Sequence, residues 1–390
     1  MESDNDCMTQ LQIAGPSKHD CGYCKGTDTS ISFGVWSEQM TCKDYQALID
    51  RGWRRSGKYL YKPDLQKSCC PQYTIKLDAN EYHVTKGQKK VLSKFSRYIS
   101  GDWSPDGKED IEMDDRKKKS KKNPPKSFLD LVQDAEKADQ KHKFEIILEP
   151  ASFTEEKFEL YKNYQFNVHH DEPEEVSERG FKRFLCDSPL VREVRNGVEF
   201  GSFHQKYLLD GKLFAFSVID ILPHCVSAVY FMYHEDYAFL ALGKYSVFRE
   251  IYLAQTLSKS IPELHWYYMG FYIHSCPKMN YKGQYAPSFL LDPVTYDWFP
   301  IEQCKKELDK KPFVSFKTPD AMYTLKVPPG WLDPGQIKDS DLENVFLMID
   351  ESTALPVSAI INRVPKKTKK LLIDYICSVG LELASGILVS

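Results

Sequence analysis

Four cysteines carry the sharpest chemical signal in the chain. Cys21-Gly22-Tyr23-Cys24 is a CxxC knuckle, and Cys69-Cys70-Pro71 supplies a second pair. Thiolates from two such pairs can close on one centre, and the donor set suits zinc or an iron–sulfur cluster. The second pair is adjacent rather than CxxC, so the spacing departs from a zinc ribbon and strains both cysteines as ligands of one tetrahedral ion. That leans toward a cluster or a thiol–disulfide switch; a structural metal that only folds a small domain is the plainer alternative. His19 and Cys42 are weaker substitute ligands, while Cys7, Cys186, Cys225, Cys276, Cys304 and Cys377 are scattered and read as packing residues.

The elements that must position such groups divide into two parts and a connection. At 390 residues the chain exceeds one ordinary core. Residues 1–100 form an N-terminal cysteine-rich metal or regulatory domain, with strands expected at 29–36 and 73–77 and helical spacing over 86–99. Residues 101–143 read as a charged linker, marked by Ser104-Pro105-Asp106-Gly107, the basic run 116–122 and Pro124-Pro125.

The larger part, 144–390, opens with a strand at 144–148. Ser152 with Glu155 reads as a capping box starting a helix through Tyr164, and a short helix is expected over 176–185. Asp210-Gly211 between apolar runs is a type I′ hairpin signal. A strand at 225–233, a helix over 244–260 and a strand at 266–273 follow. The class is α+β, and the order hairpin, strand, helix, strand is that of a GNAT-like acyltransferase domain, whose strands splay to admit an acyl donor.

Composition narrows the setting. The chain is 42% hydrophobic and 27% charged, which is globular rather than disordered. Its net charge of −3 gives no overall attraction to nucleic acid, so any RNA contact must come from local basic patches. The acidic opening Met1-Glu2-Ser3-Asp4-Asn5-Asp6 lacks the basic and apolar regions of a signal peptide, and no membrane partner is expected. The cysteines are read in a reducing compartment, with cytoplasm and nucleus as the setting and a monomer or weak oligomer as the state.

The stretch 201–285 is the most distinctive. Leu209-Asp210-Gly211-Lys212-Leu213, Val218-Ile219-Asp220-Ile221-Leu222-Pro223, Tyr245-Ser246-Val247-Phe248-Arg249-Glu250-Ile251 and Tyr267-Tyr268-Met269-Gly270-Phe271-Tyr272-Ile273-His274 resemble, in order, the eukaryotic arginyl-tRNA–protein transferase family. Cys21, Cys24, Cys69 and Cys70, with Arg51-Gly52-Trp53-Arg54-Arg55-Ser56-Gly57, resemble that family's regulatory region. The resemblance implies a GNAT-like domain that takes arginine from arginyl-tRNA. Its acceptors would be proteins with N-terminal Asp, Glu or oxidised Cys, marked thereby for ubiquitin-dependent degradation. It also implies an iron–sulfur cluster on the cysteines.

Such chemistry sets its own demands. An aminoacyl ester is already activated, so no ATP is needed, and no GxxxxGK[ST] loop is present. An α-amine with a pKa of about 8 loses its proton readily, leaving positioning and oxyanion stabilisation as the main contributions. Asp220 and Glu250 are the candidate carboxylates for the donor's guanidinium. Arg249, His204 and His170, with Lys282 behind, are candidates for reading an acidic acceptor side chain. Lys278, Lys282 and Tyr285 alternate basic and aromatic groups as single-stranded acceptor ends require, and Arg363, Lys366 and Lys367, with Lys369 and Lys370 beside them, could grip the duplex stem. Against each stands a scaffold role: ion pairs, packed histidines, a solvated basic face. A CoA-dependent N-acetyltransferase is the rival on the same fold, but 239–245 holds one glycine and lacks a pyrophosphate turn, so CoA is not expected. A non-catalytic metal- or RNA-binding adaptor is the rival of another class.

Overall fold

The computed structural model describes residues 8–105, 126–137, 141–319, 325–350 and 352–390. The basic run 116–122, Pro124-Pro125 and Cys7 lie outside them. Two mixed sheets organise the described residues. The strands are β1 (Gln10–His19), β2 (Ser30–Gln39), β3 (Arg54–Ser56), β4 (Tyr59–Pro63), β5 (Tyr73–Asp78), β6 (Phe144–Pro150), β7 (Glu193–Arg195), β8 (Val198–Leu209), β9 (Lys212–Ile221), β10 (Cys225–Tyr233), β11 (Trp266–Tyr272), β12 (Ser288–Leu291), β13 (Trp298–Pro300), β14 (Phe346–Met348), β15 (Ala354–Pro356) and β16 (Leu388–Val389). One sheet runs β15-β14-β16-β1-β2-β4-β3; the other runs β13-β12-β5-β11-β10-β9-β8-β6, with β7 on β8.

Local chemistry explains the long hairpin. Asp210 (φ 51°) and Gly211 (φ 79°) take the two left-handed positions of a type I′ turn between β8 and β9. The helices are α1 (Cys42–Ile49), α2 (Lys86–Ser100), α3 (Phe128–Gln133), α4 (Glu155–Tyr164), α5 (Glu178–Phe181) and α6 (Leu242–Leu257). Thr85 and Gln88 form a capping box at the start of α2, and its Phe95 stacks on Tyr245 of α6 with ring centroids 3.8 Å apart.

The cap of α4 differs from the Ser152–Glu155 box. Thr154 accepts from the Lys157 N–H, while the Ser152 carbonyl and hydroxyl receive the Lys157 ammonium at 2.9 and 3.2 Å. Lys157 is fully buried and paired with Glu149, which draws Ser152 out of the capping role. Over 176–185 the expected helix is shorter: Ser177 caps α5, which passes into a turn of π-helix, Lys182–Cys186.

The cut expected at residue 100 does not coincide with a sheet boundary. β5, from the N-terminal hundred residues, lies between β11 and β12. β16 pairs in parallel with β1, Gln10 opposite Leu388. Trp53, Ile75, Tyr245 and Tyr375 share one continuous buried core.

The second sheet parts in its middle. β10 and β11 run parallel but pair only at Cys225↔Trp266, Val226↔Tyr267 and Ser227↔Tyr268. Each then bulges: β10 against β9 between Ala228 and Tyr230, β11 against β5 between Tyr268 and Phe271. Gly270, inside the second bulge, has φ 75°, a conformation for which glycine is suited. A bulge bends its strand, so two bulges at one level turn the strands apart.

A buried ion pair holds the first sheet against this point. Arg55 of β3 donates from Nε to Asp220 Oδ2 at 2.8 Å and from Nη2 to Oδ1 at 2.6 Å. Ser202 of β8 donates to the same Oδ1 at 2.7 Å and accepts from Arg55 Nη2 at 3.0 Å. Burial opposes the guanidinium charge, but Asp220 more than compensates and raises the Arg55 pKa. Removing one partner leaves the other charged and buried, a loss of about 3–5 kcal/mol. Asp220→Ala is therefore expected to lower unfolding stability by that order in urea denaturation; a loss below about 1 kcal/mol would mean that other contacts join the sheets.

Candidate active site

A cavity of about 450 Å³ opens where β10 and β11 part. Ala228, Tyr230 and Phe231 form one wall, Met269, Gly270 and Phe271 the facing one, and Ser246, Val247 and Glu250 of α6 the base. The N-terminal region closes the remaining side with Tyr23, Arg54 and Tyr61. The lining is largely aromatic with a few charged groups, the composition of a small-molecule or chain-terminus site rather than a flat docking face.

Glu250 is the carboxylate that faces this space. It is 2% exposed and accepts from Ser217 Oγ at 2.7 Å and Tyr267 OH at 2.6 Å. Burial pushes its pKa up to about 7, and the two hydrogen bonds restrain the rise. A carboxyl balanced near neutrality can take up and return a proton.

Two cations stand on the opposite side, neither paired with a carboxylate among the described residues. Arg54 is buried; its Nη1 donates to the Trp53 carbonyl at 2.8 Å and its Nη2 to the Gly270 carbonyl at 3.4 Å. Its guanidinium lies 5.4 Å from the Phe271 ring centre and 5.7 Å from that of Tyr268. Lys282 donates from Nζ to the Phe271 carbonyl at 2.9 Å. Burial, then the neighbouring Arg54 charge, draws the Lys282 pKa down to about 7.

The other candidates fall elsewhere. Asp220 already holds a guanidinium, that of Arg55, and is not open to a donor's. Arg249 follows one position before Glu250, about 100° around the helix; it turns to Glu136 and sits over the Tyr252 ring at 4.8 Å, away from the cavity. His204 is fully buried, bonded to the Leu185 carbonyl at 2.9 Å. Burial, with help from Lys157, draws its pKa down to about 4, so it is neutral and unsuited to reading an anion. His170 is exposed in a left-handed position (φ 62°); its neighbour His169 lines the cavity instead, 3.0 Å from Tyr230 OH. Tyr285 is core, packed edge-on to Phe248.

Lys278 is exposed and lines the cavity. Arg363, Lys366 and Lys367 are exposed at the start of the helix Lys366–Val379, apart from the cavity lining. Lysines at that end oppose the helix dipole, so their placement does not help the helix.

The four cysteines do converge. Their Sγ atoms all lie within 4.8 Å of one another, with Cys24 and Cys69 3.2 Å apart. Zinc–sulfur bonds of about 2.3 Å in a tetrahedron place sulfurs about 3.8 Å apart, so the group fits a metal. Cys21 and Cys70 are buried against Ile273, with Cys276 and Met279 beside them. Burial raises the Cys21 thiol, but the backbone N–H groups of Cys24 and Tyr23 and the neighbouring thiols bring it down to about 7. Burial leads the rise of Cys70. Because Tyr23, inside the knuckle, lines the cavity, the metal module forms part of its rim.

Arg54 is the site residue that sequence reading missed. It stood within a run assigned to regulation, and nothing local distinguishes it from Arg55. Adjacent strand positions send the two arginines to different partners, a separation visible only once β9 and β11 are in place.

Comparison with known proteins finds matches in both the N-terminal and the later part of the chain. Family models described as arginine-tRNA-protein transferase, C terminus and N terminus, match residues 156–292 and 19–90. Arginyl-tRNA–protein transferase 1 of Drosophila melanogaster is 33% identical, over 75% of this chain and 82% of the relative. Arginyl-tRNA–protein transferase 2 of Arabidopsis thaliana is 31% identical, over 77% and 76%. An aspartate/glutamate leucyltransferase of Pseudomonas savastanoi pv. phaseolicola is 28% identical, over 73% and 95%. Among solved structures, the C-terminal domain of a putative lysylphosphatidylglycerol synthetase from Agrobacterium fabrum aligns at a TM-score of 0.27 and 9% identity, over 52% of this chain and 47% of that one, too slight to bear on the fold.

The cysteine geometry generates a direct expectation. Cys24→Ser or Cys70→Ser should abolish stoichiometric metal in elemental analysis of anaerobically purified protein, whereas Cys304→Ser should retain it. Full metal in the first two variants would dismiss the four-thiolate centre.

Proposed function

The chain belongs to the arginyl-tRNA–protein transferase family, and from that premise we propose that the cavity between β10 and β11 transfers arginine from arginyl-tRNA to the N-terminal α-amine of acceptor proteins. The observation that carries the reading is Glu250, a buried carboxyl with a pKa near 7 facing an aromatic cavity where two strands part. Ionised Glu250 takes a proton from the acceptor's ammonium. The freed amine attacks the ester carbonyl, forming the C–N bond; as the bond to the terminal ribose oxygen breaks, the nitrogen gives up a second proton, which ends on that oxygen, while the first leaves Glu250 for solvent. Positioning supplies most of the acceleration because the ester is already activated.

Other features support the same reading. Strands that splay beside an intervening helix fit a GNAT-like domain. Ala241 gives α6 no side-chain cap, and Gly243 in its first turn lines the cavity, so this helix start is suited to an oxyanion or terminal phosphate. Tyr164, Tyr230 and Tyr233 offer ring faces for the donor's guanidinium. Lys278 at the cavity and the exposed Arg363, Lys366 and Lys367 are suited to the tRNA backbone. Acceptors beginning with Asp, Glu or oxidised Cys fit two unpaired cations, and the name of the bacterial relative carries the first two. Arginylation of such N-termini would mark them for ubiquitin-dependent degradation. The close approach of the four thiols supports one tetrahedral ion over an iron–sulfur cluster, which spreads its thiolates over several irons.

The deciding assay supplies labelled arginyl-tRNA with peptides beginning with Asp, Glu or Ala. Label should appear on Asp and Glu; no label on any peptide would end the proposal, as would acetylation from labelled acetyl-CoA. Glu250→Gln should lower kcat by about 100- to 10,000-fold. Since Glu250 accepts a proton only when ionised, wild-type kcat should rise as pH passes upward through about 7. The variant should lose that inflection, and an unchanged profile would remove Glu250 from the proton's path.

A further inference from the structure

Two positive side chains without carboxylate partners among the described residues need an explanation beyond structure. Buried cations are costly unless paired, and here buried Arg54 and half-buried Lys282 crowd the same few backbone atoms. Arg54 Nη2 reaches the Gly270 carbonyl, and Lys282 Nζ the next one, that of Phe271. A Cβ built on Gly270 would stand 3.8 Å from Lys282 Nζ, so both cations hug the bulge of β11. Their donor capacity is not exhausted: Arg54 Nε is buried with no hydrogen-bond partner, and Lys282 uses one of three N–H groups on Phe271. Among the described residues the ion pairs of the region go to Arg55 and Arg249, not to these two. The arrangement leaves donors on both side chains free for an anion.

We infer that Arg54 and Lys282 together bind the acidic side chain of the acceptor's first residue. The inference rests on the transfer reading and deepens it, since it assigns the acceptor's discrimination to Lys282, a candidate from the sequence, acting with Arg54, which the sequence did not single out. A carboxylate entering between a guanidinium and an ammonium forms charge-assisted hydrogen bonds with both, while its uncharged amide isostere must leave cations unpaired. The position suits a side chain better than a tRNA phosphate. The receptor stands on β11 three residues beyond Tyr267, whose hydroxyl holds Glu250, and Glu250, Arg54 and Lys282 border one cavity. Arg54 is also 6% exposed, deep for a phosphodiester that must stay continuous with a strand. Lys282, weakened as a cation by burial and then by Arg54, regains its proton's stability when an anion arrives.

The test measures binding of fluorescent peptides that begin with Asp or Asn, by anisotropy, to the full chain and to Lys282→Met, Lys282→Arg and Arg54→Met, each first checked for a folded melting transition. Wild type should favour Asp by about tenfold or more. Lys282→Met and Arg54→Met should bring the Asp-to-Asn ratio toward one while the Asn peptide keeps its affinity within about threefold; Lys282→Arg, which keeps the charge, should preserve the preference. If Arg54→Met does not fold, the two Lys282 variants decide. A ratio unchanged by Lys282→Met, or equal weakening of both peptides, overturns the assignment. So does loss of arginyl-tRNA binding with the ratio intact, which would give the pair to a phosphate. Wild-type transfer of arginine to the Asp peptide is scored separately: its failure removes the function proposed above, whereas a lost ratio with transfer intact in wild type bears only on the receptor.

Discussion

The bidentate pair between Arg55 and Asp220 sits at the level where the second sheet begins to open. Asp220 pairs across the ladder with Ser227, and Ser227 is the last residue of β10 still registered with β11. The charge pair thus anchors β3 at the root of the split, and Arg54, the next residue back, is carried to the cavity wall. Ser202, which bonds both members of the pair, brings β8 into the same knot. A contact between residues far apart in the chain therefore fixes the depth of the cavity and the placement of its cations.

Glu250 and Arg249 illustrate how one helix turn separates a site residue from a scaffold residue. Both are almost fully buried on α6. Arg249 finds an opposite charge in Glu136 and is neutralised there. Glu250 finds only two hydroxyl donors, which satisfy its oxygens without cancelling its charge. Burial against a full ion pair makes a strut; burial against neutral donors makes an acid that keeps its proton up to near neutrality.

Local signals were legible and remote ones were not. The Asp210-Gly211 turn, β10 and the helix beginning at Lys86 followed from turn chemistry and periodicity, because their causes lie within a few residues. The CxxC and CC pairs indicated convergence for the same kind of reason: thiols in a reducing setting have few other uses. The division at residue 100 was drawn from composition, which is blind to β5 entering the second sheet and β16 returning to β1. Likewise Asp220, His204 and Arg249 were rightly noticed as charged or titratable groups in apolar runs, but their partners, Arg55, Leu185 and Glu136, are supplied by tertiary contacts. Lys282 was reachable from its loop; Arg54 was not, since its role depends on a bulge on another strand.

The parting of β10 and β11 creates a strand margin inside a sheet. Margins at the outside of a sheet invite unrelated chains to pair with them, which is why proteins shorten, charge or cover them. Here the unpaired side of β10 beyond Ser227 lies under α6 and behind the N-terminal wall. The fold can thus offer open backbone groups to a guest while remaining closed to the whole strands that would seed aggregation.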